Sequence, residues 1–346
     1  IMSEISSGPV NTVNVSFSED SFDESAYADL VSKKFKTNHH KIVLDPKELV
    51  KELPEILDKM DYPTSDGINS YVVSKFANES GITTMLSGLG GDELFCGYPV
   101  FGQLSKIQKQ WLYWQLPSSI RKLLASPLSF FAPEGKKFRV FDILTSKDKT
   151  VLNLYPIFRQ LSTPKENQKM IQSLIPNSFP NPLDNLTIDK EYPELSKISI
   201  AELSTYTKNI LLRDSDQFGM ANSIEIRVPF LDHKLVEFIL QIPDKYKYPY
   251  STKKLLIESL GHILPKEIYL RKKMGFVFPW EFWIRNELKS FCEDKITYLS
   301  KRKFFNAENL REYWRRFLNG DPSIKPNQIW QLVVFEHWFN KNDITG

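Results

Sequence analysis

The chain of 346 residues carries 45 Lys and Arg against 42 Asp and Glu, a formal net charge of +3. That is too close to neutral for a dedicated binder of nucleic acid or of a membrane surface. Hydrophobic residues make up 41% and charged residues 25%, the balance of a folded globular protein, which excludes disordered, collagenous and fibrous classes. Only Cys96 and Cys292 are present, too few for a disulfide framework and without the Cys-x-x-Cys spacing of a metal site. No apolar run reaches the roughly 18 residues of a membrane span, and the start has no basic-then-apolar signal pattern. A soluble, cytoplasmic protein of about two domains, or one large α/β unit with an insertion, is expected.

Ile1–Glu4 reads as the tail of a helix, leading through Ser6-Ser7-Gly8-Pro9 into a strand, so an N-terminally cut chain is expected. Thr12–Phe17 alternates and is β-branched, which predicts a strand. From Glu24 to Phe35, Tyr27, Leu30, Val31 and Phe35 recur on one helical face. His40–Leu44 returns to strand character, with His39 and His40 structural; Asp45-Pro46-Lys47-Glu48 then supplies an N-cap, an N1 proline and an N3 acid for a further helix. A helix over 67–80, ended by Gly81, precedes a buried strand at Ile82–Leu86. Strands alternating with helices predict a parallel sheet covered on both faces, with ligands beyond the carboxyl ends of its strands.

After Tyr98 the pattern turns to long helices, at Ile107–Leu124 and Val151–Leu161. Asn177–Pro193, with three prolines, reads as a long loop. From Ile198 onward nearly everything is helical in pattern, including Lys253–Leu260, Ala307–Leu318 and Gln328–Phe339. The expected organisation is an α/β nucleotide-binding core over 1–100, a helical insertion over 101–195 and a helical completion over 196–346.

Three segments carry chemistry. Ser87-Gly88-Leu89-Gly90-Gly91-Asp92-Glu93 follows the Ile82–Leu86 strand, and its glycines allow close backbone approach to a ligand with acids beside it. A plain strand-to-helix turn with a capping Asp explains the same residues. In Leu211–Asp232 the groups Arg213, Asp214, Asp216, Glu225 and Arg227 are interleaved with core-type residues, so they pair or face a cleft. Mutual pairing suits Glu225 and Arg227, whereas Arg213–Asp216 could line a site. Leu270-Arg271-Lys272-Lys273-Met274-Gly275-Phe276 is either a solvated basic loop or a hinged lid bringing a lysine onto polyphosphate.

SGLGGDELFCGY, MANSIEIRVPFLD and LRKKMGF, in this order, resemble the synthetase domain of the glutamine-dependent asparagine synthetases from about Asn11 to Trp338. FDES at Phe22–Ser25, YPTSDG at Tyr62–Gly67 and Thr252-Lys253 agree with it. The resemblance implies the PP-loop, adenine-nucleotide α-hydrolase fold, an α/β parallel sheet with a large helical elaboration. It implies ATP and Mg²⁺: the β-carboxylate of aspartate attacks the α-phosphorus, pyrophosphate leaves, and ammonia from a glutaminase domain displaces AMP. Carried over by resemblance, Val15 meets adenine, and Ser87, Gly88 and Gly91 contact the nucleotide. Asp92 serves Mg²⁺ and pyrophosphate, Lys273 steadies the transferring phosphate with help from Lys253, and Arg213, Asp214 and Asp216 border the aspartate site. A homodimer is left open.

Three departures stand out. Cys96 occupies a usual glycine position, tolerable if it lies in a helix, and Leu89 occupies one that is acidic in some members. The family's Ser-Gly-Gly-x-Asp-Ser loop occurs nowhere in the chain, so these residues alone should bind ATP poorly and turn over little. A β-lactam-synthetase-like ligase and a non-catalytic scaffold are the competing readings.

Overall fold

The computed structural model describes residues 1–17, 19, 23–132, 136–171, 183–248, 253–271, 275 and 278–344. After a one-turn helix α1 (Met2–Ile5), β1 (Asn11–Phe17) crosses through α2 (Ser25–Phe35) to β2 (Asn38–Leu44). The two strands pair in parallel from Asn11↔Asn38 to Phe17↔Leu44, as a helical crossover demands. His39 is structural here: its Nδ1 lies 2.9 Å from Thr12 Oγ1 across the pair. The helix α3 (Pro46–Asp58) begins as its sequence predicts, with the Asp45 carboxylate accepting from the Lys47 N–H at 2.8 Å and Pro46 at its first position. The next, α4 (Ile68–Glu79), ends at Gly81, whose φ of +76° lets Ile82 N–H reach back to the Ala77 carbonyl at 2.9 Å.

The strand predicted at Ile82–Leu86 is a correction. The observed β3 is only Thr84–Leu86, and it is not buried: Leu86 is 53% exposed. Its parallel partner is β4 (Glu225–Arg227), matched Thr84↔Glu225 to Leu86↔Arg227, inside the region expected to be helical. A three-residue strand carries too little alternation to stand out between helices. Among the described residues the sheet is two separate two-stranded parallel pieces, β1–β2 and β3–β4, rather than one covered sheet. Glu225 and Arg227 do pair, at 2.9 Å, but on an exposed strand where the ion pair contributes little.

Beyond the four-residue α5 (Gly91–Leu94) come α6 (Pro99–Gln108), α7 (Trp111–Gln115), α8 (Ser118–Phe130), α9 (Lys137–Thr145), α10 (Val151–Arg159) and α11 (Pro164–Met170). The single helix expected over Ile107–Leu124 is thus broken, because Pro117 holds an extended conformation before α8. The first part of the Pro-rich stretch, 177–182, lies outside the described residues.

A continuous rod then runs from α12 (Glu194–Glu202) through a nine-residue π-helical segment, Leu203–Leu211, into α13 (Leu212–Ala221). Further on are α14 (His233–Gln241), α15 (Lys254–Leu260), α16 (Lys266–Leu270), α17 (Trp280–Arg285), α18 (Lys289–Leu299), α19 (Ala307–Leu318) and α20 (Pro326–Lys341). The principal core joins both ends of the chain: Val15 and Phe17 of β1 and Leu53 and Ile56 of α3 share one cluster with Trp283 and Trp330. Trp280 stacks on Trp330 at 4.5 Å. A second core packs α6, α10 and α12 through Phe101, Leu154 and Ile198.

Candidate functional site

The glycine turn leaves the carboxyl end of β3. Ser87 N–H donates to the Arg227 carbonyl at 2.8 Å, so the turn starts anchored to β4. Gly90 takes a φ of +94°, and a Cβ there would lie 2.6 Å from Leu231 Cδ2. Conformation and space both require glycine. The buried Glu93 closes the turn on itself: one carboxylate oxygen accepts from Gly90 N–H at 3.0 Å, the other from the Tyr98 hydroxyl at 2.9 Å. Burial, with the Glu93 charge beside it, pushes the Tyr98 phenol strongly up, so the hydroxyl stays a donor.

Asp92, second in α5, extends its carboxylate to Lys253 Nζ at 3.2 Å; both side chains are about one-quarter to one-third exposed, at 23% and 33%. Two segments far apart in sequence are thereby brought together. Gly97 makes room for this arrangement, since a Cβ on it would fall 1.8 Å from Asp92 Oδ1. Cys96 is a correction. It lies in no helix but in the turn after α5 with φ +55°, which is why glycine suits the position. Its thiol is 2% exposed and pushed by burial to about 12, so it is no nucleophile.

Gly88 and Gly91 share the turn, with Gly91 N–H donating to the Gly88 carbonyl at 3.2 Å. Val15 lies on the other sheet piece, buried in β1 opposite Ile42. Lys273 falls outside the described residues. Arg271, the first cation of that segment, is not a solvated charge: it ion-pairs with Glu24 and places its guanidinium 4.6 Å from the Tyr27 ring. That pins the start of the basic segment beside the beginning of α2.

The three α13 residues do not converge. Arg213 is exposed with its guanidinium 4.7 Å from the Tyr62 ring, and Asp216 is exposed. Asp214 turns inward, 3% exposed, and accepts from Thr64 Oγ1 at 2.9 Å. Burial pushes its carboxyl to about 7, against the Thr64 bond and with the help of the Asp66 charge nearby.

Sequence reasoning did not single out a polar cluster that begins at Asp66. The Tyr206 hydroxyl, on the π-helical segment, donates to Asp66 Oδ2 at 2.9 Å. Arg159, last in α10, lies 4.2 Å from the Tyr206 ring centroid and 4.6 Å from that of Tyr98. It donates from Nε and Nη2 to the two carboxylate oxygens of the fully buried Glu202, at 2.9 and 2.6 Å. Burial raises the Asp66 carboxyl above its ordinary range, while the Tyr206 bond and the Arg159 charge oppose this. Asp66 also lines a small cavity of about 40 Å³ with Ser65, Asn69, Phe278 and Trp280. The available sequence signals were Glu202 between Ala201 and Leu203 and Arg159 ending an apolar run; the π-helical segment, of a kind that often marks a functional position, is visible only in the structure.

Among the described residues no group of three or more His, Cys, Asp or Glu side chains is placed to hold a metal ion. Asp92 is a partly exposed carboxylate at the glycine turn, and Mg²⁺ is a cation that commonly takes one or two carboxylates and otherwise rides on substrate phosphates.

A glycine turn at a parallel strand end, with an acid and a lysine across it, belongs to a protein whose sequence matches the asparagine synthase family over residues 1–340. The chain is a member of that family. It is 26% identical over 338 residues to asparagine synthetase [glutamine-hydrolyzing] 1 of Bacillus subtilis (strain 168), covering 96% of this chain and 52% of that protein. It is 27% identical to amidase chyE of Penicillium rubens, over 82% of this chain and 45% of the relative. A putative asparagine synthetase of Mycobacterium tuberculosis (strain ATCC 25618 / H37Rv) is 26% identical, over 79% and 42%. The chain spans about half the length of these relatives or somewhat less.

Proposed function

We infer that this chain is the synthetase part of an ATP-dependent amide-forming ligase, which adenylates the β-carboxylate of aspartate and passes the acyl group to ammonia. The observation that carries this reading is the Asp92–Lys253 pair beside the glycine turn, in a chain of the asparagine synthase family. A carboxylate is a poor acyl donor until it gains a leaving group, and the chemistry needs positioning and charge neutralisation more than covalent help.

The turn from Ser87 to Gly91 brings backbone close to the nucleotide, because Gly90 has no side chain to obstruct it and Glu93 holds the turn in shape. Lys253 supplies positive charge toward the departing pyrophosphate, and Asp92 orients that lysine. Mg²⁺, held by Asp92 and the phosphates, would neutralise the charge of the polyphosphate. Lys273 joins Lys253 as a second cation in this reading, and Val15 offers backbone to adenine. Ammonia comes from a glutaminase domain of the kind implied by the name of the Bacillus relative, a glutamine-hydrolyzing asparagine synthetase.

With full-length protein, Mg·ATP, L-aspartate and ammonia, the reading predicts AMP and pyrophosphate in equal amounts, with asparagine formed at the same rate. Release of ADP and phosphate, or nucleotide turnover indifferent to aspartate, would overturn it.

A further inference from the structure

Arg159 and Asp66 both contact Tyr206. Tyr206 presents its hydroxyl to Asp66 Oδ2 and its ring to the Arg159 guanidinium. Glu202 occupies only Nε and Nη2 of Arg159, so Nη1 donates to no described residue. Asp66 Oδ1 likewise accepts from none. Both residues are only partly buried. Arg159 is 26% exposed, and Asp66 faces the small cavity.

The charges are fixed before any ligand arrives. Glu202 cannot leave Arg159 without becoming a buried, unpaired carboxylate. The guanidinium is held between two rings, so its free edge is preorganised. Asp66 has no ion-pair partner among the described residues, and an arriving cation would offset the burial that now disfavours its charge. The two atoms are therefore a donor for a carboxylate and an acceptor for an ammonium group, on residues that both contact Tyr206.

We propose that Arg159 Nη1 and Asp66 Oδ1 form a subsite for the charged head of an α-amino acid, Arg159 taking the α-carboxylate and Asp66 the α-ammonium. This rests on the ligase reading above and names the part of the acyl donor that does not react. It names residues other than Arg213 and Asp216, which are exposed. The contact of Arg159 with Tyr98 also links the subsite to Glu93 and the glycine turn, so a bound amino acid is held in register with the nucleotide.

The test uses full-length protein with L-aspartate, succinate, which lacks the amino group, and β-alanine, which lacks the α-carboxylate. Pyrophosphate release gives kcat and KM, and calorimetric titration of L-aspartate gives a readout separate from turnover. Wild-type protein should prefer aspartate to either analogue by at least about tenfold, the response of a site built to pair with the missing group. Asp66→Asn, which keeps an acceptor for Tyr206, should raise KM for aspartate by about tenfold or more and abolish the preference over succinate, with KM for ATP unchanged. Arg159→Lys, which keeps a charge beside Glu202, should abolish the preference over β-alanine. The proposal is overturned if Asp66→Asn alters the aspartate and succinate rates equally, or if both variants keep wild-type preferences. Should the wild type release no pyrophosphate with any of the three, the ligase reading fails and calorimetry alone decides the subsite. Aspartate binding lost in Asp66→Asn then supports it, and absent or unchanged binding refutes it.

Discussion

Lys253 sits in left-handed backbone, φ +56°, immediately before α15, with its ammonium 3.2 Å from the Asp92 carboxylate. Partly exposed, the pair adds little to stability after solvent screening, so its substitution should act mainly on chemistry. Lys253→Ala is expected to lower kcat/KM about 100-fold, the typical effect of losing one preorganised charge partner, with a small change in Tm. Thermal melts alongside pyrophosphate-release assays check both halves. Asp214 behaves oppositely. Its carboxyl is raised by burial to about 7 from an ordinary 3.8, so between those values the folded state binds more protons than the unfolded one. Stability must therefore fall as pH rises from about 4 through about 7 and then level off, by a total on the order of 4 kcal/mol. Denaturant unfolding at pH 5 and pH 8 should show this loss in the wild type and a much flatter response in Asp214→Asn. At this scale the motif residues Asp92, Gly90 and Lys253 were legible because side chain and spacing announce them. Asp66, Tyr206 and Arg159 were not, because their common feature is a contact among three elements that no local pattern encodes.

At the level of elements, the glycine turn depends on what packs over it. A methyl group at Gly90 would collide with Leu231 and demand an unfavourable φ. Gly90→Ala is expected to cost about 1–3 kcal/mol and to weaken ATP binding, both measurable by denaturant unfolding and calorimetry. Gly97→Ala instead presses on the Asp92 carboxylate, so it should reduce activity by displacing Asp92 from Lys253. A crystal structure of that variant with the 3.2 Å contact intact would refute this. The helices α2, α3, α4 and α19 were legible in periodicity and capping, since their apolar faces and end signals lie within one segment. The strands β3 and β4 were harder: each has three residues, and their pairing across the long intervening sequence creates them. The buried character expected of Ile82–Leu86 came from composition, whereas Leu86 is exposed because burial depends on what covers the strand.

For the whole molecule, near-neutral charge and balanced composition bounded the class, and ordered motifs narrowed it to one family. Their geometric meaning emerged only in the fold, where C-terminal helices pack against β1 and α3 and where the start of α15 faces the glycine turn. The division into two sheet pieces was not legible, because strand adjacency is a tertiary property. The 346 residues contain no Ser-Gly-Gly-x-Asp-Ser sequence. On their own they are therefore expected to bind ATP at least about tenfold more weakly than a protein that carries it, given how much phosphate affinity rests on preorganised amide and hydroxyl donors. Calorimetry on both proteins would show equal affinities if that expectation is wrong. The most direct test of the central claim remains the fate of the nucleotide in the full-length protein supplied with Mg·ATP, L-aspartate and ammonia. Equal amounts of AMP and pyrophosphate, dependent on aspartate, are predicted; ADP and phosphate, or no aspartate-dependent turnover, would contradict it.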